Sequence, residues 1–174
     1  MENTLLIILV VIVSGLAVFG SMFFIAREFF KNQRMKAEYE SKANTTGLMV
    51  PARMQAYERI ILFLERISPQ SLILRVHKNG MSARMLQAEL VKNIRNEYEH
   101  NLSQQIYVSK NAWEYVRSAR EETVKIINIA ASRIPESATG IDLTAAIFEV
   151  GSQLKKLPTE MAIDQIKKEF SQNF

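Results

Sequence analysis

The chain opens on a stretch with no polar face. Leu5 to Ala26 reads LLIILVVIVSGLAVFGSMFFIA and holds no charged residue. At about 1.5 Å of rise per residue, a helix of this length covers roughly the 30 Å hydrocarbon core of a bilayer. A helix on the surface of a soluble domain would carry a charged or strongly polar face, and none exists here. A cleaved signal peptide would need a basic start, a shorter apolar run and a small-residue cleavage site, whereas only Met1, Glu2, Asn3 and Thr4 precede Leu5. The pattern predicts an uncleaved transmembrane anchor over residues 1–26.

Beyond Ala26 the pattern becomes helical and charged. Residues 27–50 read as a juxtamembrane stalk and hinge, in which Arg27 to about Ala43 continues the helix and Asn44, Thr45, Thr46 and Gly47 end it. Pro51 suits the first turn of a new helix, stopped by Ser68 and Pro69 and carrying Tyr57, Ile60, Ile61, Leu64 and Ile67 as its apolar stripe. Leu62 falls among charged neighbours, as a lone exposed leucine or as part of a partner surface. Ser82 is the candidate cap of a helix over Ala83 to Leu102, with Leu86, Leu90, Val91, Ile94 and Tyr98 on one side.

The next helix follows Ser109 and places Trp113, Val116, Ala119, Thr123, Ile127, Ala130 and Ile134 at three-and-four spacing. Asp142 or Thr139 caps a fifth, bearing Leu143, Ile147, Val150 and Leu154, and Thr159 caps a short last one with Ile163, Ile166 and Phe170. Ile106, Tyr107 and Val108 are β-prone but read as a connector. The expected architecture is all-α: one N-terminal transmembrane helix, a charged stalk, and a small cytoplasmic helical bundle over residues 51–174. No internal repeat, low-complexity run or sustained heptad competes with it.

Charge decides the orientation. Net charge is +4, but residues 27–95 carry 13 basic and 6 acidic residues, whereas residues 96–174 carry 9 and 11. Basic charge beside a bilayer reads as topology and attraction to anionic lipid before it reads as a nucleic-acid footprint. Arg27, Lys31, Arg34 and Lys36 follow the apolar run and no basic residue precedes it, which predicts an N-terminus outside and a cytoplasmic C-terminal domain in a bacterial inner membrane. Phe23, Phe24, Phe29 and Phe30 straddle the boundary as interface anchors.

Candidate binding residues fall into three groups. Ser14, Ala17 and Ser21 share a helical face with Gly20 beside them, a spacing that admits a second membrane helix, although small residues are common in membrane spans and no strict GxxxG is present. Arg66, Arg75, Lys78 and Arg84 lie in RISPQSLILRVHKNGMSAR without an acidic residue, so this segment either lies along anionic headgroups, with Arg27, Lys31, Arg34 and Lys36, or packs as an ordinary short helix with its basic residues outside. Glu97, His100, Asn101, Gln104 and Gln105 gather hydrogen-bonding groups at a helix end, as a recognition surface or as a satisfied polar turn.

Catalytic and metal chemistry find no positive sign. There is no cysteine, which excludes disulfides, thiolate metal sites and thiol catalysis. His77 and His100 lie in different elements without metal-ligand spacing, and no phosphate loop, dinucleotide fingerprint or nucleophile elbow occurs. The expectation is a non-enzyme without cofactor.

Two segments, QAYERIILFLERISPQSLILR and HNLSQQIYVSKNAWEYV, resemble an uncharacterised bacterial family of short single-span inner-membrane proteins known only as a domain of unknown function. The resemblance covers most of Pro51 to Ile134 and implies an inner-membrane bacterial protein, with no activity or site to carry over. Together these readings point to a non-catalytic membrane-anchored subunit or scaffold whose partners are membrane lipid and other membrane-protein subunits, a homo-oligomer being compatible with the same face. The alternative is a basic membrane-proximal module binding anionic lipid or, less in keeping with the charge placement, nucleic acid.

Overall fold

The computed structural model describes residues 2–173, with side chains described at 15, 16, 18–36 and 49–172. The chain is all-α and divides into two compact units, Met1–Val50 and Pro51–Phe174. Helix α1 (Glu2–Ile67) runs through Asn44, Thr45, Thr46, Gly47 and Pro51 without the stop that their low helix propensity suggests. The boundary between the units falls instead at Pro51, which lacks an N–H and crowds the carbonyl four residues before it.

In the first unit, Leu16, Val18, Phe19, Met22, Phe23, Phe24 and Ile25 are all exposed. Among the described residues no helix is long and apolar enough to cross a membrane. The side chains of residues 5–14 and 17, which belong to the uncharged stretch, lie outside the described residues.

The second unit is a bundle built on local stop and start signals. After Ile67, Ser68 turns the chain and Pro69 occupies the first turn of α2 (Pro69–Val76). Gly80, at φ 85°, supplies the left-handed residue of the turn into α3 (Ala83–Asn101), whose cap Ser82 accepts from Met85 N. A 3-10 turn, Leu102–Ile106, closes α3, and the β-prone Ile106, Tyr107 and Val108 form its end and the connector to α4. Ser109 caps α4 (Lys110–Ser132) by accepting from Ala112 N.

Thr139 caps α5 (Gly140–Ser152) in a reciprocal box with Asp142, so the two candidates act together. Helix α6 begins at Pro158 (Pro158–Asn173), and Thr159 is not its cap but a buried residue of its first turn. The Glu160 carboxylate reaches back to Leu157 N at 3.1 Å and serves that end instead.

An isolated antiparallel bridge between Ser82 and Thr139 sets the starts of α3 and α5 side by side, with Ala83 N bonded to Ala138 O and Gly140 N to Met81 O. A side chain on residue 140 would put its Cβ 2.9 Å from His77 Nε2 and 3.2 Å from Met81 O, so it would displace the His77 ring and crowd the Met81 carbonyl. Helix α3 packs on α2, α4 and α5, and α4 on α5 and α6.

Phe63, Ile60, Leu64, Ile67, Leu72, Leu86, Leu90, Ile94, Ile127, Leu143, Ile147 and Ile166 form the fully buried centre. Each such side chain is worth about 1.5–3 kcal/mol relative to exposure. Val116, Ala119, Thr123 and Ala130 line the buried face of α4, whereas Trp113, Ile134 and Ile61 are only partly buried against the core. Leu62 is exposed.

Candidate functional site

The small-residue face is only partly described. The side chains of Ser14 and Ala17 lie outside the described residues. A Cβ on Gly20 would meet nothing within 4 Å, and the exposed Ser21 hydroxyl donates to Val18 O at 2.8 Å within its own helix. Arg27, Lys31, Arg34 and Lys36 are exposed, with Lys31 paired to Glu28 at 4.0 Å.

The second basic group is largely spoken for by acidic partners. Leu72, Ile73 and Val76 of α2 turn into the core, so this segment packs as a short helix with its basic residues outside. Arg66 and Arg75 both donate to Glu97 Oε1, at 2.6 and 3.0 Å, and Arg75 also donates to Arg66 O at 3.1 Å. Burial pushes the Glu97 carboxyl up, but hydrogen bonds and charge from Arg66, then Arg75, outweigh it and hold the group below its ordinary value. Arg84 pairs with Glu136, and Lys78 is exposed.

Three of the five polar-turn side chains bond locally. His100 Nδ1 meets Asn96 O at 2.7 Å, Asn101 Nδ2 donates to Glu97 O at 2.8 Å, and Gln104 Nε2 donates to Ser103 Oγ at 3.2 Å. Gln105 is exposed. Glu97 thus belongs to an arginine pair on the α1–α2–α3 face, and the five residues do not converge on one pocket.

Sequence periodicity misses a buried carboxylate with several donors. Glu169 on α6 is 8% exposed and accepts from Tyr57 Oη on α1 at 2.8 Å, from Ser109 N at 2.9 Å, and from the Ser109 hydroxyl. Burial raises its pKa, yet the Ser109 and Tyr57 hydrogen bonds and the Arg53 charge more than offset that and keep it below the ordinary value. Tyr57 is raised by burial first and then by Glu169, with Arg53 pulling the other way. A signal was present: Glu169 lies three residues after Ile166 and beside Phe170, on the buried stripe of α6.

Beside this carboxylate, the 51–61 segment of α1 and the end of α6 frame an open groove of about 1060 Å³. Met54, Ile61, Ile166 and Phe170 give it an apolar floor, with Glu58 on one wall and Lys167 on the other. Phe170 stands edge-on to Tyr57, ring centroids 5.5 Å apart. Among the described residues no cluster of three or more His, Asp or Glu is placed to hold a metal.

No curated protein and no solved structure matches the chain. Residues 3–173 match the model of the DUF7935 family, a family of unknown function, and the chain belongs to that family.

Proposed function

We infer that this protein is a membrane-anchored, non-catalytic subunit or scaffold, with its N-terminal helix in a bacterial inner membrane and its helical bundle in the cytoplasm. The observation that carries the reading is the uncharged run Leu5–Ala26, whose described apolar side chains from Leu16 to Ile25 find no protein cover, followed at once by Arg27, Lys31, Arg34 and Lys36. An apolar segment left open on the protein is supported by lipid or by another span, and the small residues Ser14, Ala17, Gly20 and Ser21 suit the latter. The bundle adds an apolar groove and exposed apolar side chains at Phe148 and Ile141, the kind of surface that joins partners.

The competing reading, a polyanion-binding module, loses three of its basic residues to acidic partners, because Arg66, Arg75 and Arg84 are paired. Purification of the natively expressed chain in mild detergent, after crosslinking, tests the assembly role. Reproducible co-purifying subunits are expected, recovered reciprocally when they are tagged in turn. A lone monomer under several mild conditions would sink the proposal. Binding of the chain to anionic vesicles or DNA that falls steeply with salt would favour the competing reading.

A further inference from the structure

Helix α5 is apolar on two opposite sides. Leu143, Ala146, Ile147 and Val150 fill the core, while Ile141, Ala145 and Phe148, at the i, i+4, i+7 spacing, form a ridge on the outer side. Ile141 is 69% exposed and Phe148 46% exposed. A helix with two apolar faces belongs between two layers of protein, and this ridge has no second layer among the described residues. Exposed Asp142 and Glu149, one heptad apart, run as an acidic row along one edge of the ridge; Thr144 and Gly151 make the other edge neutral.

The groove between α1 and α6 has the complementary form. Its floor is apolar, its α6 wall carries Lys167 and its α1 wall carries Glu58. A helical ridge seated there with its acidic row against Lys167 and its neutral edge against Glu58 matches the charge of both walls, and the reversed seating sets acid against acid. We propose that the α5 ridge of one copy docks in the α1–α6 groove of a second copy. Ridge and groove are different surfaces, so the contact is heterologous, and each copy can accept one neighbour and donate to another along a row. The inference deepens the assembly role proposed above by naming a second copy of the chain as one partner.

The absence of cysteine makes the test clean. Two differently tagged full-length chains, one carrying Met54→Cys and the other Phe148→Cys, are co-expressed and their membranes oxidised with copper phenanthroline. A mixed-tag disulfide dimer is expected, with neither variant linking to itself, and a chain carrying both cysteines should give a ladder of higher species. Lys167→Glu in the Met54→Cys chain should cut the mixed product several-fold, and Glu149→Lys in the Phe148→Cys chain should restore it, with thermal melting confirming that each variant is folded. No mixed dimer, like-with-like products alone, or a mixed dimer indifferent to Lys167→Glu would each overturn the inference. If these failures came with foreign subunits still co-purifying, the assembly role would stand and only self-docking would fall.

Discussion

The Tyr57 hydroxyl donates to Glu169 Oε1 at 2.8 Å, joining α1 to α6 across 112 residues of sequence. The same oxygen accepts from Ser109 N, and the Ser109 hydroxyl that caps α4 reaches the other carboxylate oxygen. One carboxylate thus ties three helices, and a hydrogen bond to a charged acceptor is worth about 1.5–3 kcal/mol. Tyr57→Phe should lower stability by about 1.5 kcal/mol, and Glu169→Ala by about 3 kcal/mol, because it removes the acceptor from several donors at once. A double-mutant cycle on the thermal midpoint should show the two changes to be non-additive. Simple addition would mean that the bond contributes nothing of its own.

The depressed Glu169 carboxyl gives the bundle an acid limb. Its native pKa lies below the ordinary value of 4.5, so the unfolded chain binds the proton first as pH falls. The stabilisation is therefore full above about pH 5 and is lost progressively as pH drops through 4.5 toward the native pKa. Glu97, held low by Arg66 and Arg75, acts in the same direction, though its pairs are exposed and weaker. Glu169→Gln should flatten the fall in melting temperature between pH 5 and pH 3 more than Glu97→Gln does. Equal slopes for both variants and the parent would contradict the assignment.

Helix starts are legible where a hydroxyl caps locally: Ser82, Ser109 and Thr139 each accept from a backbone N–H three residues on, a relation contained within four letters of sequence. Glu169 is not legible in that way, because its partners lie 60 and 112 residues away and a glutamate near a helix end reads as solvated edge. Phe63 is missed for another reason: Leu62, Phe63 and Leu64 are consecutive apolar letters, and the stripe drawn through Leu64 passes over the ring that is only 1% exposed. At Asn44–Gly47 the weak helix formers raise the cost of a helix without forbidding it, and α1 continues. In the polar turn, His100 and Asn101 both meet carbonyls four residues back, whereas Glu97 meets arginines of α1 and α2 that sequence spacing does not bring to it.

The aromatic row at the α1–α3–α4 seam ranks two truncations. Phe63 and Tyr98 lie 6.0 Å apart between ring centroids, Tyr98 and Trp113 5.7 Å, and Arg120 stands 4.3 Å over the Tyr98 ring. Phe63 is fully enclosed, so Phe63→Ala should cost about 3–5 kcal/mol. Trp113 is only partly buried, and Trp113→Ala should cost less, about 2 kcal/mol, despite the larger ring. Denaturant midpoints order the pair. A larger loss at Trp113 than at Phe63 would mean that the Tyr98 stack, rather than enclosure, dominates this seam.

On the proposed reading of Leu5–Ala26 as a membrane anchor, its orientation follows from where the basic residues fall. Arg27, Lys31, Arg34 and Lys36 lie within ten residues of the uncharged run, against Glu28 alone, and the four residues before Leu5 include no Lys or Arg. Positive charge near a span end is retained on the cytoplasmic side, while acidic residues weigh little in that choice. A fluorescent reporter that matures only in the cytoplasm, fused after the last residue, should therefore be bright, and an alkaline phosphatase active only outside should be silent. The cause can be tested as well as the outcome. Replacing Arg27, Lys31, Arg34 and Lys36 by Asn while adding lysines before Leu5 should shift signal from the first reporter to the second, because the bias that orients the helix has been reversed. An active phosphatase on the unaltered chain would place the bundle outside and remove the basis for cytoplasmic partners.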